Sequence, residues 1–169
     1  MTATASHPSA RTASTTDTPL ELATFFPYRL AVLAEAVSRA VARVYAERFD
    51  LSRDEWRVLA ALGESGEMKT RDAMLSTTLD KVQASRAIAR LEAKGLIARV
   101  ADAEDRRNRI LRLTAAGKAL HRRIVPVVKE REAFLLQALA APQRAALDEA
   151  FDRLLERTRV LEAGDDDRG

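Results

Sequence analysis

Apolar positions recur at helical spacing along most of the chain. Over residues 22–48, Leu30, Leu33, Val37, Val41 and Val44 share one side while Glu35, Arg39 and Arg43 lie elsewhere, which predicts a long amphipathic helix. Ser52 followed by Glu55 is a capping-box pattern, opening a second helix through Trp56, Val58, Leu59 and Leu62 that stops near Gly63 and Gly66. A short helix follows over residues 70–76. Asp80 then suits the N-cap of a helix running to Lys94, with Gly95 at the position just past its end. Beyond Gly95 the period changes. Residues 96–100 and 110–113 are short apolar-containing runs separated by the polar stretch 101–109, the pattern of a hairpin with an extended loop. Thr114 caps a long helix to about residue 139, inside which Pro126 predicts a kink because its ring clashes and its N–H is missing. Pro142 opens a last helix through Leu147, Phe151, Leu154, Leu155 and Leu161. The expected fold class is mainly α with a short β-hairpin.

The helix over residues 80–94 has two unlike faces. Ala84, Ala87, Ile88 and Leu91, at i, i+3, i+4 and i+7, form a core face. The opposite face gathers Val82, Arg86, Ala89, Arg90 and Ala93, with Lys81, Gln83 and Ser85 at its margins. Small residues allow close approach to a groove, Arg and Gln suit base edges, and an apolar tip suits thymine methyls. An ordinary solvated face with incidental arginines is the alternative for this segment alone. The loop supplies a second basic feature: Asp105, Arg106, Arg107, Asn108 and Arg109 place three arginines at a hairpin tip that could enter a minor groove.

Composition narrows the function classes. The 169 residues contain no cysteine, which excludes disulfides, thiolate metal sites and a cysteine nucleophile. The net charge of +3 says little about partners, but residues 66–114 hold eleven Lys and Arg against seven Asp and Glu. No apolar run approaches the roughly 20 residues needed to span a bilayer. Residues 1–19, rich in Ser, Thr, Ala and Pro, are expected to be a disordered arm without a secretory core, and residues 164–169 an acidic tail. A cytoplasmic protein is expected. With two histidines, one of them His7 near the N-terminus, and no Gly-rich phosphate loop or metal-spaced cluster, the chain is not expected to be an enzyme or to need a cofactor.

The order of these features resembles the MarR family of winged helix-turn-helix transcriptional regulators. Leu91-Glu92-Ala93-Lys94-Gly95-Leu96-Ile97-Ala98-Arg99 is similar to that family's link from recognition helix to strand. Asp105, Arg107, Leu113-Thr114 and Gly117 follow its wing signature. The resemblance covers about residues 25–159 and departs in the turn Ser76-Thr77-Thr78-Leu79, which lacks the frequent glycine, and at Ala84, where a larger aliphatic is usual. It implies a winged helix-turn-helix over residues 52–113 within a domain of residues 20–163, and dimerisation helices over 20–50 and 114–163. It also implies an Asp105–Arg107 ion pair that holds the wing, Arg106 or Arg109 reaching toward a minor groove, and Ser85-Arg86 reading bases.

Lys81, Val82, Gln83, Ser85, Arg86, Arg90, Arg106, Arg107, Asn108 and Arg109 are thus the expected DNA contacts of a homodimer on a pseudo-palindromic operator. Phe26-Pro27-Tyr28-Arg29 with Trp56 resembles a subgroup associated with aromatic-acid catabolism, including regulators responding to hydroxycinnamoyl-CoA thioesters. That resemblance implies a repressor released by an aromatic acid or acyl-CoA, with Phe25, Tyr28, Arg29, Trp56 and His121 as candidate ligand contacts. The alternative, that Trp56 and the phenylalanines are simply core, is the commoner role of such aromatics. The alternative function is a dimeric helical adaptor that docks a protein on the outward face of residues 82–93, and only DNA binding would weaken steeply with salt.

Overall fold

The computed structural model describes residues 19–101 and 109–166, the side chains of 165 and 166 excepted. Chain contacts divide it into two units, residues 1–36 and 37–169.

In the first unit, residues 22–24 form a turn in which the Phe25 N–H donates to the Glu21 carbonyl at 3.0 Å. Helix α1 (Phe26–Phe49) therefore starts four residues later than its apolar period suggests. Leu20, Leu22, Phe25, Phe26, Tyr28, Leu30, Val32 and Leu33 are all exposed.

The second unit takes in the rest of α1 and then α2 (Arg53–Ser65), β1 (Glu67–Lys69), α3 (Thr70–Ser76), α4 (Lys81–Ala93), β2 (Ile97–Ala101), β3 (Arg109–Leu113), α5 (Ala115–Leu136) and α6 (Ala141–Asp166). Its core joins Leu59 and Leu62 of α2, Ala73 of α3, Ala84, Ile88 and Leu91 of α4, Leu111 of β3 and Ile124 of α5. The expected two-stranded hairpin is a three-stranded antiparallel sheet in the order β1-β3-β2. The strand β1 was not anticipated. It pairs Glu67 with Arg112 and Lys69 with Ile110, so it exists through a partner more than 40 residues away in sequence.

The caps fall where side chains can satisfy the free backbone groups of helix ends. The Ser52 N–H donates to Glu55 Oε2 at 2.6 Å, and the Glu55 N–H donates to Ser52 Oγ at 3.2 Å. At the end of α4, Gly95 takes φ +68°, and the Leu96 N–H returns to the Leu91 carbonyl at 2.9 Å. Only glycine adopts that backbone without strain. Thr114 joins the sheet to α5: its hydroxyl donates to the Gly95 carbonyl at 2.7 Å and accepts the Gly117 N–H at 3.0 Å. Helix α5 runs unbroken through Pro126, which is exposed, so the carbonyl lacking a partner there can face water. Helix α6 continues past Leu161 to Asp166, and the terminal acidic run therefore begins inside the helix. No helix among the described residues is long and apolar enough to cross a membrane.

Candidate nucleic-acid interface

Helix α4 packs on the unit through its inner face. Ala84, Ala87, Ile88 and Leu91 are buried, as their spacing requires. Lys81, Val82, Gln83, Ser85, Arg86, Ala89, Arg90 and Ala93 are all exposed. Val82 is 55% exposed although it is apolar and stands in the first turn. This surface is small, cationic and slender, and it carries no acidic side chain on the helix until Glu92.

The N-terminus of α4 alters one expectation. The Gln83 N–H donates to Asp80 Oδ1 at 2.7 Å, and the Gln83 side-chain oxygen accepts the Asp80 N–H at 3.1 Å. A bidentate contact to adenine needs both ends of the amide. In this arrangement the oxygen of Gln83 is committed to the cap, leaving Lys81, Ser85, Arg86 and Arg90 as the polar groups of the face outside the cap.

A second cationic surface was not evident in the sequence. Lys69 at the end of β1, Arg71 and Asp72 on α3, Arg99 on β2 and Arg109 on β3 line one cleft of about 630 Å³ together with Leu75. Thr70 joins its two sides by donating to the Arg109 carbonyl at 3.3 Å. Arg99 Nε also pairs with Glu92 Oε2 at 2.9 Å, tying β2 to α4. The signal that could have found this cleft is the pairing of β1 with β3, which brings residues 69 and 109 together. Of the expected wing contacts, Arg109 starts β3, while Asp105, Arg106, Arg107 and Asn108 lie outside the described residues.

The expected ligand residues fall in both units. Within residues 37–169, Trp56 is half-buried and stacked between Tyr45 of α1, with ring centroids 5.7 Å apart, and His121 of α5 at 6.0 Å. Burial holds the His121 imidazole below its usual pKa and pushes the Tyr45 phenol up. His121 is therefore a neutral aromatic partner at neutral pH. Within residues 1–36, Tyr28 and Arg29 line an open surface groove of about 400 Å³ with Ala23, Val32, Leu33 and Ala36, and Phe25 is exposed.

Known proteins share this arrangement. Residues 49–108, from the end of α1 to the wing, match the MarR family. The uncharacterized HTH-type transcriptional regulator YdgJ of Bacillus subtilis is 28% identical over 116 residues, 67% of this chain and 69% of that protein. The structure of BpsR from Bordetella bronchiseptica, whose DNA binding is regulated by 6-hydroxynicotinic acid, superposes with a TM-score of 0.72. It is 23% identical, over 81% of this chain and 97% of that one. MepR from S. aureus, solved in complex with DNA, gives a TM-score of 0.70 at 20% identity, over 79% of this chain and 98% of that one. With a helix-turn-helix in α3 and α4, a three-stranded antiparallel sheet and the long helices α1, α5 and α6, the chain has the fold of MarR-type winged helix proteins, and its residues 49–108 match the MarR family.

Proposed function

We propose that this chain is a sequence-specific DNA-binding transcriptional regulator that works as a homodimer in the cytoplasm. The observation that carries the reading is the outward face of α4, exposed along its length, slender and basic, on a helix whose other face is fully buried. Val82 and Arg86 supply a thymine-methyl contact and a base-edge donor for the major groove, with Ser85, Arg90 and Lys81 beside them. Arg109, at the start of β3, is placed to serve the minor groove. The cleft of Lys69, Arg71 and Arg99 serves the phosphate backbone between the two grooves.

The test starts from the duplex that the full chain enriches from a random pool. Arg86→Ala should cost about 1–3 kcal/mol on that duplex and relax selection at one base pair. Arg71→Ala should weaken all duplexes alike and lower the slope of affinity against salt by about one. Titration by fluorescence anisotropy at several salt concentrations checks both. Equal affinity of the two variants and the wild type, or binding indifferent to salt, would favour the adaptor that docks a protein on this face.

A small aromatic acid, free or as its CoA ester, is the effector we propose. Tyr28 and the apolar side chains beside it offer a ring surface, and Arg29 offers a guanidinium for a carboxylate or phosphate. Regulation then requires the acid to bind the DNA-competent and incompetent forms unequally. Calorimetry with a panel of hydroxylated aromatic acids and CoA thioesters should give binding heat for at least one, and that heat should fall in Arg29→Ala. Silence across the panel would remove this effector class.

A further inference from the structure

We propose that helix α2 grips the recognition helix at both ends, Arg57 through Thr78 and Glu55 through Lys94, and that these four are the positioning residues of the reading head. The proposal rests on the DNA-reading function of α4. The inner face of α4 needs such a grip. Two of its four buried residues are alanines, which bring fewer side-chain atoms to packing contacts than longer apolar residues.

At the leading end, Thr78 stands two residues before the N-cap of α4, with φ +54°. A β-branched residue in the left-handed region is strained, and glycine would adopt the same backbone freely. The threonine hydroxyl gives the strain a purpose, because it accepts Arg57 Nη1 of α2 at 3.1 Å. Strained backbone of this kind persists where the surroundings over-determine it.

At the trailing end, Lys94 follows α4 and its ammonium lies 3.2 Å from Glu55 Oε1 and 3.5 Å from Asp50 Oδ2. It also donates to the Asp50 carbonyl. The Asp50 carboxylate is fully exposed and contributes little, whereas the Glu55 side chain is only 3% exposed. The Glu55 carboxyl stays ionised: burial alone would raise its pKa, but the hydrogen bonds from Ser52 and the ion pair with Lys94 outweigh that and leave it below the usual value. With Oε2 taken by the Ser52 N–H, Lys94 is the counter-charge to Oε1. Between the two anchors, Trp56 stacks on Tyr45 and His121. One three-residue run thus connects α1 and α5 to both ends of the recognition helix, and a shift of the aromatic stack would carry both anchors with it.

The experiment compares the full chain with Thr78→Gly, Arg57→Met, their double variant, and the charge-free pair Glu55→Gln with Lys94→Met, which leaves no buried carboxylate unpaired. Probes are the duplex enriched by the wild type and a scrambled duplex of equal length. Thr78→Gly should keep or raise the thermal midpoint, since it relieves strain, and yet weaken the enriched duplex about tenfold with the scrambled duplex little changed. The double variant of Arg57 and Thr78 should be no weaker than the worse single one, because both remove one hydrogen bond. Amide exchange along α4 should quicken in Arg57→Met and in the charge-free pair while α5 stays as in the wild type. Affinity that merely follows the thermal midpoint, or α4 exchange unchanged in both, would overturn the grip. A wild type that enriches no duplex would overturn the DNA-reading function on which the proposal rests, with the exchange data still judging the grip itself.

Discussion

Gly117→Ala is expected to lower stability by about 3 kcal/mol or more, at the upper end of overpacking losses, because its neighbour is backbone that cannot rotate away. A Cβ on Gly117 would overlap the carbonyl oxygen of Leu96 and lie 3.0 Å from its carbon, with Leu113 Cδ2 at 3.5 Å. That carbonyl also accepts the Thr114 N–H at 3.1 Å. Gly117 is itself fixed there by donating to Thr114 Oγ1. Relief would require α5 to move off the Gly95–Leu96 turn, which follows the recognition helix directly. The thermal midpoint should fall by about 10 °C, taking 2–4 °C per kcal/mol for a chain of this size. Differential scanning calorimetry checks it. A loss below 1 kcal/mol would mean that the helix and turn separate easily and that the joint does not hold the sheet to α5.

The junction also illustrates what a sequence makes legible. Thr114 could be read as a helix start because capping is local chemistry, and so could the Ser52–Glu55 box and the Gly95 stop. The core face of α4 was legible for the same reason: Ala84, Ala87, Ile88 and Leu91 follow from periodicity alone. What escaped depends on distant partners. The three residues of β1 carry no period, and only pairing with β3 makes them a strand. The Lys69, Arg71 and Arg99 cleft collects residues from three elements and needs that same pairing. The strained Thr78 was visible as a missing glycine, but its compensating partner, Arg57, lies 21 residues earlier with no local mark. Gln83 is the reverse case. Asp80 and Gln83 have capping-box spacing, and reading that pattern to its end would have assigned the glutamine oxygen to the cap before assigning it to a base.

Helix α6 leads to the other large expected effect. It is 26 residues long, with no buried residue among those described, and it exposes Phe151, Leu154, Leu155, Val160 and Leu161. Apolar surface of this extent on a long helix calls for a partner. Residues 20–33 expose a comparable set, including Phe25, Phe26, Leu30 and Leu33. We propose a second copy of the chain as the occupant of both surfaces, since a two-fold dimer presents two recognition helices to the two halves of a pseudo-palindrome. Leu147, Phe151, Leu154 and Leu161 fall on one side of α6, so Leu154→Glu with Leu161→Glu should strike the interface twice. Losing two buried leucines and burying two charges should remove about 6 kcal/mol or more, equivalent to a dissociation constant raised roughly 10⁴-fold. In sedimentation at micromolar concentration the mass should fall from two chains to one. Helical content should stay near that of the wild type, while affinity for the enriched duplex drops at least about 100-fold as the second half-site is lost. Affinity for a duplex carrying one half-site should change little, because α4 and its supports lie outside the altered surface. A double variant that still sediments as two chains would assign the apolar face of α6 to something other than self-association, and a wild type that sediments as one chain would do the same for both surfaces.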